Sequence, residues 1–394
     1  MTRSLALTAA LLVSASSAQA QILDEYTRVE LLAPDTASVR VTSDVTLSAP
    51  GMRTFTLPTP RDAGVTDPSV LDLSTGAALK SRLASNAIEI DLPRSSAGAE
   101  IRMRIVHVEA SPLRYRQSGD RFTFTRALSA RRGSVVLPPG YELTRAGRPV
   151  QILELPDGRI MASFMEQGAA IDIQARQLKS KPAPAGESTP APTPPIADAP
   201  PRELPLNQIR VTERAIQDRT IVYFLKEPET HAFALYHDYT AAREGERQYV
   251  NVVRAGSTVS EPSARILDTG EELKTRTLTG ADIAREKIDI PDRVDPDTQV
   301  VLIPFPPVKK GTSLRLRISE TYTDPARYAL VDGQLMWHRS FGRPRNDMVL
   351  PAGWYLTTSS IPAVISEERD GRIRLSYWNP RPDSLDVVVR GRRR

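Results

Sequence analysis

The chain has 394 residues, of which 25% are charged and 40% hydrophobic, with a formal net charge of +5. That length provides for two or three domains and ample core, in the composition of a globular protein. Arginine carries most of the positive charge and is interspersed with Asp and Glu, which excludes the clustered basic face of a nucleic-acid binder; the absence of cysteine excludes disulfides and a lipid-modified N-terminal cysteine.

Residues 1–20, MTRSLALTAALLVSASSAQA, read as a secretory signal. Arg3 is the positive start, Leu5 to Val13 the apolar run, and Ala18-Gln19-Ala20 the cleavage site, so the mature chain is expected to begin at Gln21. The run is shorter than the roughly 20 residues a bilayer span needs. No other stretch comes close, so no integral membrane segment is expected after cleavage. The expected compartment is the periplasm of a Gram-negative cell, with secretion beyond it as the alternative.

From there the chain reads as β. SVRVTSDVTL (38–47), AIEIDL (87–92), IRMRIVHV (101–108) and RFTFTRAL (121–128) alternate apolar and polar residues, and DVVVRGR (386–392) repeats the pattern near the end. Alternation at period two puts one face on a core and one in water. Asp157-Gly158 and Asp370-Gly371 each sit between two such runs and signal hairpins. Lys179 to Pro205 is rich in proline, alanine and small polar residues, cannot bury a core, and reads as an extended spacer.

The spacer separates two copies. Gly98–Ile160 aligns with Gly311–Ile373 without a gap: EIRMRI meets SLRLRI, VVLPPGYELT meets MVLPAGWYLT, and ELPDGRI meets EERDGRI. A second ungapped block sets Val65–Arg82 beside Val259–Arg276. The shift between blocks marks an insertion around 277–310, where Ala281–Ile290 is expected to form one short helix. The predicted fold is all-β: a tandem duplication of a β-sandwich-type module, with two β units per copy, joined by a proline-rich linker. The first module covers 21–178, with units at about 22–110 and 111–178. The second covers 206–394, with units at about 209–322 and 323–394. The larger unit of each has the strand count of an immunoglobulin-like sandwich.

ILDTG (266–270) poses the catalytic question, because two apolar residues before Asp-Thr-Gly also begin an aspartic-protease loop. That chemistry needs two facing carboxylates. Ser74 stands opposite Asp268 in the first copy, so a hydrolase would need a homodimer to supply the second Asp; otherwise Asp268 is a turn corner. The histidines do not recur between copies, and His231 and His237, if on a strand, stand about 20 Å apart. No serine elbow, phosphate loop or zinc spacing occurs. No catalytic set, cofactor or metal site is read from the sequence.

The aromatic residues offer a candidate surface. Trp337, Trp354 and Trp378 face Phe124, Tyr141 and Met165 in the alignment, with Tyr355 and Tyr377 beside two of them. They read either as a shared core or as a platform for a sugar ring or a partner's apolar side chain. Adjacent strand residues point to opposite faces, so one of Trp354/Tyr355 and one of Tyr377/Trp378 is expected to be exposed. Arg339, matched by Arg126, is expected to hold carbonyls or a carboxylate. The terminal run Arg390–Arg394 reads as a solvated tail.

The extended run, S-T-G or D-T-G turn and IRMRI-type strand of the larger unit resemble the β domains that precede catalytic domains in large secreted peptidases. The likeness covers about a quarter of the chain and implies no activity, since no catalytic motif accompanies it. The expected function is non-catalytic binding of a protein or cell-envelope partner. The alternatives are a carbohydrate- or peptidoglycan-binding protein using the Trp residues, and a hydrolase built on Asp268 in a homodimer.

Overall fold

The structure, a computed structural model, describes residues 20–93, 100–127, 130–165, 170–179, 220–253, 256–290, 294–381 and 384–394. The signal-like segment up to residue 19 and the spacer beyond Lys179 lie outside them. The fold is all-β, with one α-helix among the described residues, Gly280–Glu286. That helix falls inside the insertion. It is held by a capping box in which Thr279 and Asp282 satisfy each other's backbone, and it ends where Lys287 turns left-handed. It therefore stops short of the expected Ile290.

The described residues fall into two compact units: those of 20–29 and 38–111, and those of 30–37 and 112–394. In the first, Ser38–Ser48 pairs along its whole length with Glu100–Ala110, from Ser38 opposite Ala110 to Ser48 opposite Glu100. Glu100–Ala110 pairs on its other edge with Gly64–Asp72. A three-stranded sheet of Thr54–Pro58, Ala87–Asp91 and Ser81–Ala84 shares a core with them, built from Val45, Leu47, Phe55, Ile88, Ile90, Met103 and Ile105. These are the inward positions of the alternating runs, whose removal from water drives the packing.

The second unit contains the same layout between Thr220 and Thr323. Ala232–Ala241 pairs with Thr220–Leu225 and with Leu314–Thr323, whose other edge takes Thr258–Ile266. Gln248–Val252, Gln299–Pro304 and Arg276–Thr279 form the accompanying three-stranded sheet.

The same unit contains two smaller groups of six strands in matching order. One runs Tyr115–Ser118, Arg121–Ala127, Arg132–Val136, Tyr141–Glu154, Ile160–Phe164 and Ala170–Gln177. The other runs Tyr328–Val331, Gln334–Phe341, Arg345–Val349, Trp354–Glu367, Ile373–Trp378 and Leu385–Arg393. In each, the long strand gives its first half to the last strand of the group and its second half to the hairpin strand.

The long strands also pair with each other: Ala146 opposite Ile365, Val150 opposite Ala363, Ile152 opposite Ser359. In the ungapped alignment Ala146 matches Ser359, Val150 matches Ala363 and Ile152 matches Ile365. The contact thus maps onto itself about Val150 and Ala363, the self-complementary geometry of a two-fold dimer interface made within one chain. Ion pairs follow the same symmetry. Glu367 accepts from Arg176 at 2.7 Å and from Arg121 at 2.6 Å, while its aligned mate Glu154 meets Arg392 at 3.1 Å. Arg121, the nearer guanidinium, together with Arg176 holds the Glu367 carboxyl below its ordinary range.

The terminal arginines are not a solvated tail. Arg390 to Arg393 complete the last strand; Arg393 pairs with Glu229, and Arg394 reaches the buried Glu142 at 2.9 Å. Strand pairing to Trp354–Glu367 carries them back onto the protein.

Candidate functional site

Directly opposed residues of an antiparallel pair share a face. This places Phe233 beside Tyr322, Leu235 beside Glu320 and His237 beside Ile318, and Thr220–Leu225 adds Tyr223 next to Leu235. Such a face should be wholly apolar, yet Glu320 and His237 are buried on it. They line a cavity of about 990 Å³, with Asn251, Tyr322, Arg339 and Arg343.

The polar groups are partly organised. The Asn251 amide donates to both Glu320 oxygens, at 2.9 and 2.8 Å, and to the Tyr322 hydroxyl at 3.0 Å. Burial pushes the Glu320 carboxyl up and the Tyr322 phenol well up from their ordinary ranges. Arg339 is only 6% exposed. Its guanidinium carbon lies 5.3 Å from the Phe233 ring centre, 5.6 Å from Tyr223 and 5.8 Å from Tyr322, within cation–π range. The acid beside it, Asp324, stands 3.8 Å from Nη1 and already accepts from Ser257 at 2.8 Å and Arg327 at 3.2 Å. Nε and Nη1 of Arg339, and Nη1 of Arg343, are buried with no hydrogen-bond partner. An unpaired buried donor costs about 1–3 kcal/mol, more when charged. Such an arrangement can bind an anion.

The aligned positions of the first unit are polar too, with different chemistry. His107 aligns with Glu320 and Glu109 with Tyr322, and Ser43 meets His237 where Ala33–Thr46 is set beside Glu227–Thr240. His107 Nε2 meets Glu109 at 2.9 Å and Ser43 meets Thr27 at 3.3 Å, all four buried. The signal was present in the sequence: Glu320 interrupts the inward register Leu314, Leu316, Ile318, just as His107 and Glu109 interrupt Ile101, Met103, Ile105. Of the cavity residues, the sequence reading picked out Arg339 alone as a candidate.

The aromatic candidates do not form one platform. Trp337, Trp354, Tyr355 and Tyr377 are buried, and only Trp378 is exposed, at 59%. Trp337 packs edge-on against Tyr223 at 5.3 Å, under the cavity wall. Trp354 donates to Glu227 at 3.1 Å beneath the Arg393 guanidinium. The expectation that one of Trp354 and Tyr355 would be exposed fails, because this strand is covered on both faces; burial, with the Glu154 charge nearby, raises the Tyr355 phenol to about 12. Tyr377 meets Ser359 at 3.1 Å, while its neighbour Trp378 lies 5.4 Å from the Arg345 guanidinium and outside the core. Asp268 sits at an exposed turn with Gly270 at φ +77°. Its carboxylate accepts from Arg315 Nη2 at 2.6 Å and from the Arg315 backbone at 3.2 Å, and Arg315 holds it below the ordinary carboxylate range.

No protein-family description matches the chain, and no curated protein matches it. Among solved structures, an M1 zinc metallopeptidase from Deinococcus radiodurans is similar at 11% identity and a TM-score of 0.29. The match covers 40% of this chain and 42% of that one. A two-domain M1 zinc metallopeptidase variant bound to L-tryptophan gives the same coverage at a TM-score of 0.30. Likeness at this level carries no chemistry across.

Proposed function

We propose that this chain is a non-catalytic periplasmic protein of two duplicated β modules joined by a proline-rich spacer, and that it binds a protein or cell-envelope component through its second module. The signal-like N-terminus supports the compartment. The matching strand order and the self-mapping contact at Val150 and Ala363 support the duplication. The observation that carries the binding reading is the cavity of about 990 Å³ in the second copy, at the upper end of small-ligand pockets, with a buried guanidinium in its wall.

The glycan reading retains one exposed ring, Trp378, and a single ring is a small platform. The hydrolase reading retains one carboxylate already engaged by Arg315.

The test is crosslinking capture from native periplasm with the mature protein and with two cavity-filling variants, Ile221→Trp and Leu235→Trp, each checked for a retained melting transition. A discrete species captured by the natural protein and lost in both variants is the expected result. Equal capture by all three, or none by any, refutes the reading.

A further inference from the structure

We propose that the cavity takes a small organic monocarboxylate, or a chain end bearing one, with the carboxylate seated against Arg339 and Arg343 and an apolar body filling the rest. This rests on the cavity being the binding site.

Three guanidinium nitrogens on this wall, Nε and Nη1 of Arg339 and Nη1 of Arg343, are buried without hydrogen-bond partners. Arg339 is held by three aromatic rings and by an ion pair with Asp324 at 3.8 Å, too long for a hydrogen bond, while Asp324 Oδ2 accepts from Ser257 and Arg327. Nε and Nη1 lie on different sides of a guanidinium, so the open donors offer a carboxylate single charge-assisted hydrogen bonds from Arg339 and Arg343 rather than a parallel pair from one side chain. Water exclusion at a site this buried strengthens that pairing.

The rest of the wall limits the charge and sets the body. Glu320, Asp295 and Asp297 also line the cavity, so a phosphate dianion meets more like charge than a monoanion does. Ile221, Leu235 and Val253 supply apolar surface to the same cavity. A singly charged acid with a hydrophobic body satisfies both.

The experiment titrates the mature protein with N-acetylphenylalanine, N-acetylphenylalaninamide, the tripeptide Ala-Ala-Phe with a free carboxylate, and inorganic phosphate, by calorimetry and by tryptophan fluorescence. Trp337, packed on Tyr223 beside Arg339, supplies the optical signal. The acid should bind at least about tenfold tighter than the amide, and R339Q should remove that preference. Tighter binding of the tripeptide than of the single acid identifies a chain end as the source; the reverse identifies a free small acid. Should R339Q not fold, the acid–amide contrast in the natural protein and the half-buried R343Q decide. Equal binding of acid and amide, or preference for phosphate, overturns the proposal. So does absence of binding at millimolar probe; if capture of a partner still depends on the cavity, the binding reading survives that result, and if capture also fails, both fall.

Discussion

The self-mapping contact between the long strands can be tested at its centre. Val150 is fully buried opposite Ala363. Val150→Ala removes two carbons from this contact. At ~0.8 kcal/mol per carbon the lost transfer term is about 1.6 kcal/mol. Both backbones are fixed by sheet pairing, so the gap closes incompletely. A residual void of about 40 Å³ at ~24 cal/mol per Å³ adds about 1 kcal/mol. The expected loss is about 2–3 kcal/mol, measured by urea denaturation of the mature protein followed by circular dichroism. Met165→Ala, at a side chain 78% exposed, is the control and should stay within about 0.5 kcal/mol of the natural protein. If the two small β groups unfold together, V150A lowers the midpoint and leaves the slope unchanged. A V150A protein as stable as the control would refute the reasoning, because the two groups would not then be held by this contact.

Glu320 gives a pH prediction. Its folded carboxyl is raised by burial, so the folded state binds the proton more tightly than the unfolded chain. Stability is then greatest below the ordinary glutamate value of about 4.3 and falls as pH rises from there through the folded value. Glu320→Gln should remove that slope and raise Tm at pH 7 relative to the natural protein; an unchanged slope would show that Glu320 is not its source. Gly391 offers a steric test: a Cβ there would lie 2.8 Å from the Tyr355 carbonyl oxygen, so Gly391→Ala should cost about 1–3 kcal/mol, and a neutral result in the same denaturation assay would contradict the close approach. Trp378 should account for nearly all acrylamide-quenchable tryptophan emission, since Trp337 and Trp354 are buried; strong quenching left in Trp378→Phe would place another ring at the surface.

The strand pattern was legible because alternation is local. Whether Ile101, Met103 and Ile105 face inward depends only on the two-residue period of a strand and the cost of leaving them in water. The turn at Asp268 was legible for a similar reason, since Gly270 tolerates positive φ and Ser74 stands at the aligned position where a second carboxylate would be needed. The aromatic candidates were misjudged in part because alternation names two faces without saying how many are covered. Trp354 and Tyr355 do point opposite ways, but both faces of their strand are buried.

What the sequence determined by itself was the β character, the turns and the likeness of the two halves, all properties of neighbouring residues or of direct alignment. Tertiary structure alone decided that the long strands meet about Val150 and Ala363, that the terminal arginines fold back onto Glu154, Glu229 and Glu142, and that Glu320, Asn251 and Arg339 line one cavity. Those residues lie on strands far apart in the chain. Their meeting depends on sheet register and on which faces pack, and no local rule of period or propensity encodes either.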